Sequence, residues 1–114
     1  MTEPGCVFCR VVTGEVPATV VHRTSRTLAF RDLAPQAPVH VLVVPTDHFA
    51  DIGELAAADP GYAGELVAAA VEVAAQEGLT GGYRLAANTG PDALQTVGHA
   101  HVHVLGGRRL GLPS

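Results

Sequence analysis

The sequence has no tryptophan, two tyrosines, three phenylalanines and one methionine, so its interior must be filled mainly by aliphatic side chains rather than aromatic rings. It also lacks a long apolar run. No stretch reaches the roughly 18 consecutive apolar residues of a membrane span. The opening MTEPGCVFCR has neither a basic n-region nor the apolar h-region of a secretory signal. Basic residues are scarce: seven Lys and Arg stand against eleven Asp and Glu, for a formal charge of −4. Arg108 and Arg109 form an isolated pair rather than a basic stripe, so neither nucleic acid nor a membrane is an expected partner. There is no internal repeat and no low-complexity tract. Only two cysteines are present, Cys6 and Cys9. In the cytoplasmic setting expected here they stay reduced, which argues against a structural disulfide and leaves metal ligation or packing.

What is present is an apolar fraction of 47% beside 16% charged residues, which excludes disorder over the whole chain. A length of 114 residues fits one domain spanning 1–114. ATVVHRT (18–24) and TLAFRDL (27–33) read as short strands, and the β-branched run PVHVLVVP (38–45) predicts a central strand. The best-marked helix covers about 60–78, with Asp59 as N-cap, Pro60 at the first helical position and Gly78 as the stop. On it Glu65, Glu72 and Gln76 share a polar face, which assigns Leu66, Val67, Ala70, Val71 and Ala74 to the sheet. A less marked helical pattern covers IGELAAA (52–58); YRLAAN (83–88) reads as a strand, NTGPDALQT (88–96) as an exposed loop and VGHAHVHVL (97–105) as the final strand. Strands and helices do not alternate regularly, so the fold class expected is α+β with a largely antiparallel sheet.

The final stretch places His99, His101 and His103 at alternate positions. On a strand such residues project from one face, about 6 to 7 Å apart, with Ala100, Val102 and Val104 on the other. Three readings compete: a polar sheet face, a metal site and nucleophilic catalysis by imidazole. Ligands on one straight strand splay, so at most one or two of the three should share a metal. Catalysis would have one ring attack while its neighbours hold its tautomer and contact the substrate.

HAHVHVL (99–105) resembles the His-x-His-x-His-x-x signature of the histidine triad (HIT) family, and the likeness extends further. VFCRVVTGEVPATVV, LAFRDLAPQAPVHVLVVP, the NTG loop and QTV before the triad are similar to its nucleotide-binding branch, in the zinc-containing bacterial form. The resemblance implies a HIT-like fold, with a largely antiparallel five-stranded sheet, one long helix and one or two short ones. It implies that His101 attacks the α-phosphorus of a nucleoside phosphate derivative, giving a nucleotidyl-histidine that water releases as the monophosphate. His103 would donate to the phosphate, and the His99 carbonyl would fix the tautomer of His101. Asn88 and Thr96 would contact the phosphate, Gln95 the leaving-group side, Asp32 the ribose hydroxyls, and Phe8, Phe30 and Leu33 the base. His40, which interrupts an apolar strand, matches a position near the active site and reads equally as a core histidine or a proton relay. His22 is expected on an exposed strand without a role.

The CxxC spacing of Cys6 and Cys9 suits zinc better than a redox dithiol, since only five residues precede it. The resemblance completes the ligand set with His48 and His99, giving a structural zinc that ties the N-terminal segment to the triad. Packing without metal is the alternative. The implied activity is hydrolysis of nucleoside phosphoramidates or acyl-nucleotides, such as adenylates, by a homodimer acting on purine nucleotides such as AMP derivatives. Cleavage of dinucleoside polyphosphates, by hydrolysis or phosphorolysis, and a nucleotide-binding scaffold with vestigial activity are the rivals. Two positions depart from the family pattern: Gly98 stands where a bulkier residue usually precedes the triad, and Leu94 stands where glycine commonly precedes Gln95.

Overall fold

A computed structural model describes residues 3–112. Five strands form one sheet: β1 (Val20–Arg23), β2 (Thr27–Arg31), β3 (Val39–Pro45), β4 (Tyr83–Ala86) and β5 (Val102–Gly106), in the order β1-β2-β3-β5-β4. Every neighbouring pair is antiparallel. The run 38–45 does become the middle strand, and its apolar character, broken only by His40, follows from being covered on both faces. Val41 and Val43 join Ala29, Val102 and Val104 against a layer made by α2 (Ile52–Ala58) and α3 (Pro60–Gln76). Leu42 and Val44 point the other way and join Leu28 and Phe30 against Phe8 and Val11 of α1 (Val7–Val12). The period of two therefore sorts β3 into two cores. His40, in step with Leu42, belongs to the α1 side.

The long helix starts and stops as its sequence signals indicate. The Asp59 carboxylate accepts the Tyr62 N–H, and Pro60 opens the first turn. At the far end Gly78 takes φ +72°, and the N–H groups of Gly78 and Leu79 close onto the carbonyls of Ala75 and Ala74. Its buried stripe is Tyr62, Leu66, Ala69, Ala70, Val73 and Ala74. Val67 and Val71, assigned to the sheet from the sequence, instead remain 46% and 44% exposed. They lie one residue beyond Leu66 and Ala70, about 100° around the helix, and the stripe that docks is centred on the other flank.

Three local features differ from the sequence reading. The Cys segment forms a six-residue helix, α1, whose first turn is capped by the Cys6 Sγ accepting the Cys9 N–H at 3.4 Å. The final strand begins at Val102 rather than 97, because Ala100 donates its N–H to the Phe49 carbonyl at 2.7 Å instead of joining the ladder. Alternation persists across that break: Ala100, Val102 and Val104 are 1%, 4% and 0% exposed. His22 is half-buried on β1 rather than exposed, and its Nδ1 has no hydrogen-bond partner among the described residues. Among those residues no helix is long and apolar enough to cross a membrane.

Leu66 is fully enclosed between α3 and the sheet. Replacing it with alanine leaves a cavity that neighbours fill only in part, so Leu66→Ala is expected to lower the unfolding free energy by about 2–5 kcal/mol, measured by urea denaturation.

Candidate active site and metal centre

The α1 side of the sheet carries a cavity of about 280 Å3, whose walls include Phe8, Phe30, Asp32, Leu33 and Thr96, with His101 and His103 also lining it. It is walled further by Val11, Val16 and Leu42, which makes it mostly apolar away from the imidazoles. Leu33 stands at its edge, 96% exposed, while Phe8 and Phe30 are buried and meet edge to face at 5.4 Å. A larger hollow of about 820 Å3 near Tyr83 and Arg109 contains no histidine or cysteine.

Hydrogen bonds assign the histidine tautomers. His101 Nδ1 lies 2.7 Å from the His99 carbonyl, which can only accept, so in the neutral ring Nδ1 carries the proton and Nε2 holds a free lone pair. A second series starts at the Gln36 N–H, which donates to His40 Nδ1 at 3.0 Å. His40 Nε2 must then be the protonated nitrogen, and it lies 2.8 Å from His103 Nδ1 and 3.4 Å from the Asp32 carboxylate. With Nδ1 accepting, neutral His103 carries its own proton on Nε2. The two rings beside the cavity are thereby set in opposite senses: His101 presents a lone pair and His103 a donor. Their centroids are 5.0 Å apart. Burial holds His103 neutral, with its pKa lowered to about 4, the nearby His101 and His40 adding to the effect. Burial lowers His40 as well, opposed by Asp32.

Cys6, Cys9, His48 and His99 form a second cluster, with their ligand atoms all within 4.8 Å of one another. His99 donates from Nε2 to the Pro45 carbonyl at 3.0 Å, which turns an unprotonated Nδ1 toward Cys6 and Cys9 at 3.3 and 3.5 Å. His48 Nδ1 is 3.4 Å from Cys9 Sγ. A tetrahedral zinc with ordinary Zn–S and Zn–N bonds places S and N about 3.6 Å apart, so two thiolates and two imidazoles fit that ion in chemistry and in spacing. The outer nitrogen of His99 is already anchored as a metal-binding imidazole requires. Burial lowers the pKa of His99 to about 4, which keeps the ring neutral, and raises the thiol of Cys9, so a cation is what would hold that sulfur ionised.

The loop before the triad spends its polar groups on itself. Gln95 donates to the carbonyls of Ala50 and Val97 and accepts the Gly90 N–H, and Asn88 donates to the Ala93 carbonyl. Of the three loop residues expected to contact the substrate, Asn88, Gln95 and Thr96, only Thr96 lines the cavity. Leu94 takes the left-handed conformation, φ +60°, that glycine would adopt without strain, and donates its N–H to Pro91.

The HIT domain family matches residues 13–110. The chain belongs to the HIT family. Its HIT relatives include a 14 kDa zinc-binding protein of Zea mays, 41% identical over 94% of this chain and 85% of that protein. Another is adenylylsulfatase HINT1 of Arabidopsis thaliana, 39% identical over 94% of this chain and 74% of its own. Among solved structures, a HIT family hydrolase from Clostridium thermocellum superposes with a TM-score of 0.92 at 39% identity, covering 98% of both chains. The fold is thus the HIT-like α+β arrangement expected from the sequence, with one long and two short helices.

Sequence reasoning did not find Gln36 or Pro45, which act through backbone groups, nor Val11 and Val16 on the cavity wall. No side-chain signal marks a residue that contributes only its N–H or carbonyl. Because the folded pKa of His103 lies below its ordinary 6.5, the folded state binds fewer protons than the unfolded chain between those values. That part of the stability is complete above pH 6.5 and is lost as pH falls toward 4. The melting temperature should fall across this window, and His103→Gln should flatten the fall.

Proposed function

We propose that this HIT protein is a hydrolase of nucleoside phosphate derivatives that uses His101 as nucleophile. The observation that carries the reading is the hydrogen bond from His101 Nδ1 to the His99 carbonyl, which leaves Nε2 unprotonated beside the cavity. In this reading Nε2 bonds to the α-phosphorus while the leaving group departs with its electron pair. Water then cleaves the phosphorus–nitrogen bond of the nucleotidyl-histidine. His103, neutral and protonated on Nε2, donates to a phosphoryl oxygen as charge develops there. Asp32 accepts from the ribose hydroxyls, Phe8 and Phe30 hold the base, and Thr96 offers a hydroxyl on the phosphate side. His40 sets the tautomer of His103.

The preferred substrates are phosphoramidates and acyl-nucleotides, adenylates among them. A cavity of about 280 Å3 is at the small end for ligand pockets and suits one nucleotide rather than a dinucleoside polyphosphate. The names of the Arabidopsis and Clostridium relatives, an adenylylsulfatase and a hydrolase, support the same class. Cys6, Cys9, His48 and His99 would hold a zinc ion, as the maize relative's name suggests. That ion supplies structure rather than chemistry: bound there, it leaves His99 no acid–base role and ties α1 to the residue whose carbonyl orients His101. We place the protein in the cytoplasm as a homodimeric single domain.

His101→Ala should lower turnover of adenosine phosphoramidate by at least about a thousandfold while AMP still binds in calorimetry. Retained turnover would refute the mechanism, and faster cleavage of diadenosine tetraphosphate by the unaltered protein would redirect the substrate class. Protein purified without a histidine tag should contain close to one zinc per chain, and chelation should lower its melting temperature.

A further inference from the structure

The thiol–imidazole cluster is shielded on one side only. Cys9 and His99 are 1% and 0% exposed, whereas Cys6 and His48 are half-buried. Those two outer ligands line a groove of about 400 Å3, together with Glu3, Gly5, Thr96 and Gly98. Gly98 keeps this groove open. A Cβ placed on it would meet nothing within 4 Å, and its backbone is outside the left-handed region, so an ordinary side chain fits there. Glu3 brings an exposed carboxylate to the same groove, and its N–H donates to Cys9 Sγ at 3.3 Å.

From this arrangement we propose that the groove beside Gly98 is a metal-exchange port, through which a divalent cation or a small competing chelator reaches the cluster while the protein stays folded. The inference rests on the zinc reading above. Closed structural sites release their ion chiefly when the surrounding fold opens. Here an incoming donor can approach from the Cys6 and His48 side. It bonds to the ion as one of those ligands lets go, and the freed thiolate or imidazole takes a proton from solvent. No electrons are transferred. Cys9 and His99 hold the ion from the inner side throughout, so the tether to the triad is the last part to break. The Glu3 carboxylate favours the approach of a cation by its charge.

The test uses the zinc-loaded full chain mixed with excess 4-(2-pyridylazo)resorcinol under native conditions, with transfer followed by absorbance. The expected rate rises in proportion to chelator concentration. Gly98→Val should slow transfer by about tenfold or more, while Gly98→Ser stays close to the unaltered chain. Amide hydrogen exchange should be alike in all three, showing that the fold itself is not what changed. A transfer rate independent of chelator concentration would overturn the port while leaving the zinc reading intact, as would an unchanged rate in a folded Gly98→Val. Zinc far below one per chain in the unaltered protein would overturn both.

Discussion

One hydrogen bond organises this site. The 2.7 Å contact between His101 Nδ1 and the carbonyl two residues upstream decides which nitrogen of the middle imidazole is free, and so whether it can act as a nucleophile at all. The carbonyl is only as steady as the residue that carries it. His99 is held at both ends of its ring, by the Pro45 carbonyl on one nitrogen and by the neighbouring thiols on the other. A backbone group thus inherits its precision from a side chain pointing elsewhere.

The sheet divides these tasks by parity. Its helical face is a conventional aliphatic core built on Val41, Val43, Val102 and Val104, with no titratable group among its buried members other than Tyr62. The opposite face mixes Leu42 and Phe30 with His40, His101 and His103, so that imidazoles are desolvated by their own apolar neighbours. Desolvation lowers the pKa of His40 and His103, and uncharged rings can be ordered into defined donor and acceptor senses. A cationic cluster in the same place would lose both the lone pair and the directional relay.

Much of this was legible in the sequence, and the rest was hidden for physical reasons. The β-branched run at 38–45 marked β3, and Asp59, Pro60 and Gly78 marked the ends of α3, because local chemistry alone decides such features. The alternate histidines announced a shared face. The short helix α1 escaped notice because six residues carry little periodicity and its cap is a thiol, a group that seldom serves as one. Val67 and Val71 misled because apolarity does not reveal which flank of a helix docks. The link from Gln36 through His40 to His103 joins residues far apart in the chain through an unremarkable N–H. Gln95 was read as a substrate contact, yet its amide is consumed in holding the loop together, a role visible only once Ala50 and Gly90 are brought beside it.

The late start of β5 gives the triad two kinds of support. His103 is woven into the lattice between β3 and β4, whereas His101 sits just before it, on a stretch fastened to the Phe49 carbonyl through Ala100. His103 therefore rides on a strand paired on both sides and His101 on a tethered margin. In the proposed mechanism the margin leaves His101 room to approach a bound phosphorus while the ladder fixes the ring that would meet the phosphoryl oxygens.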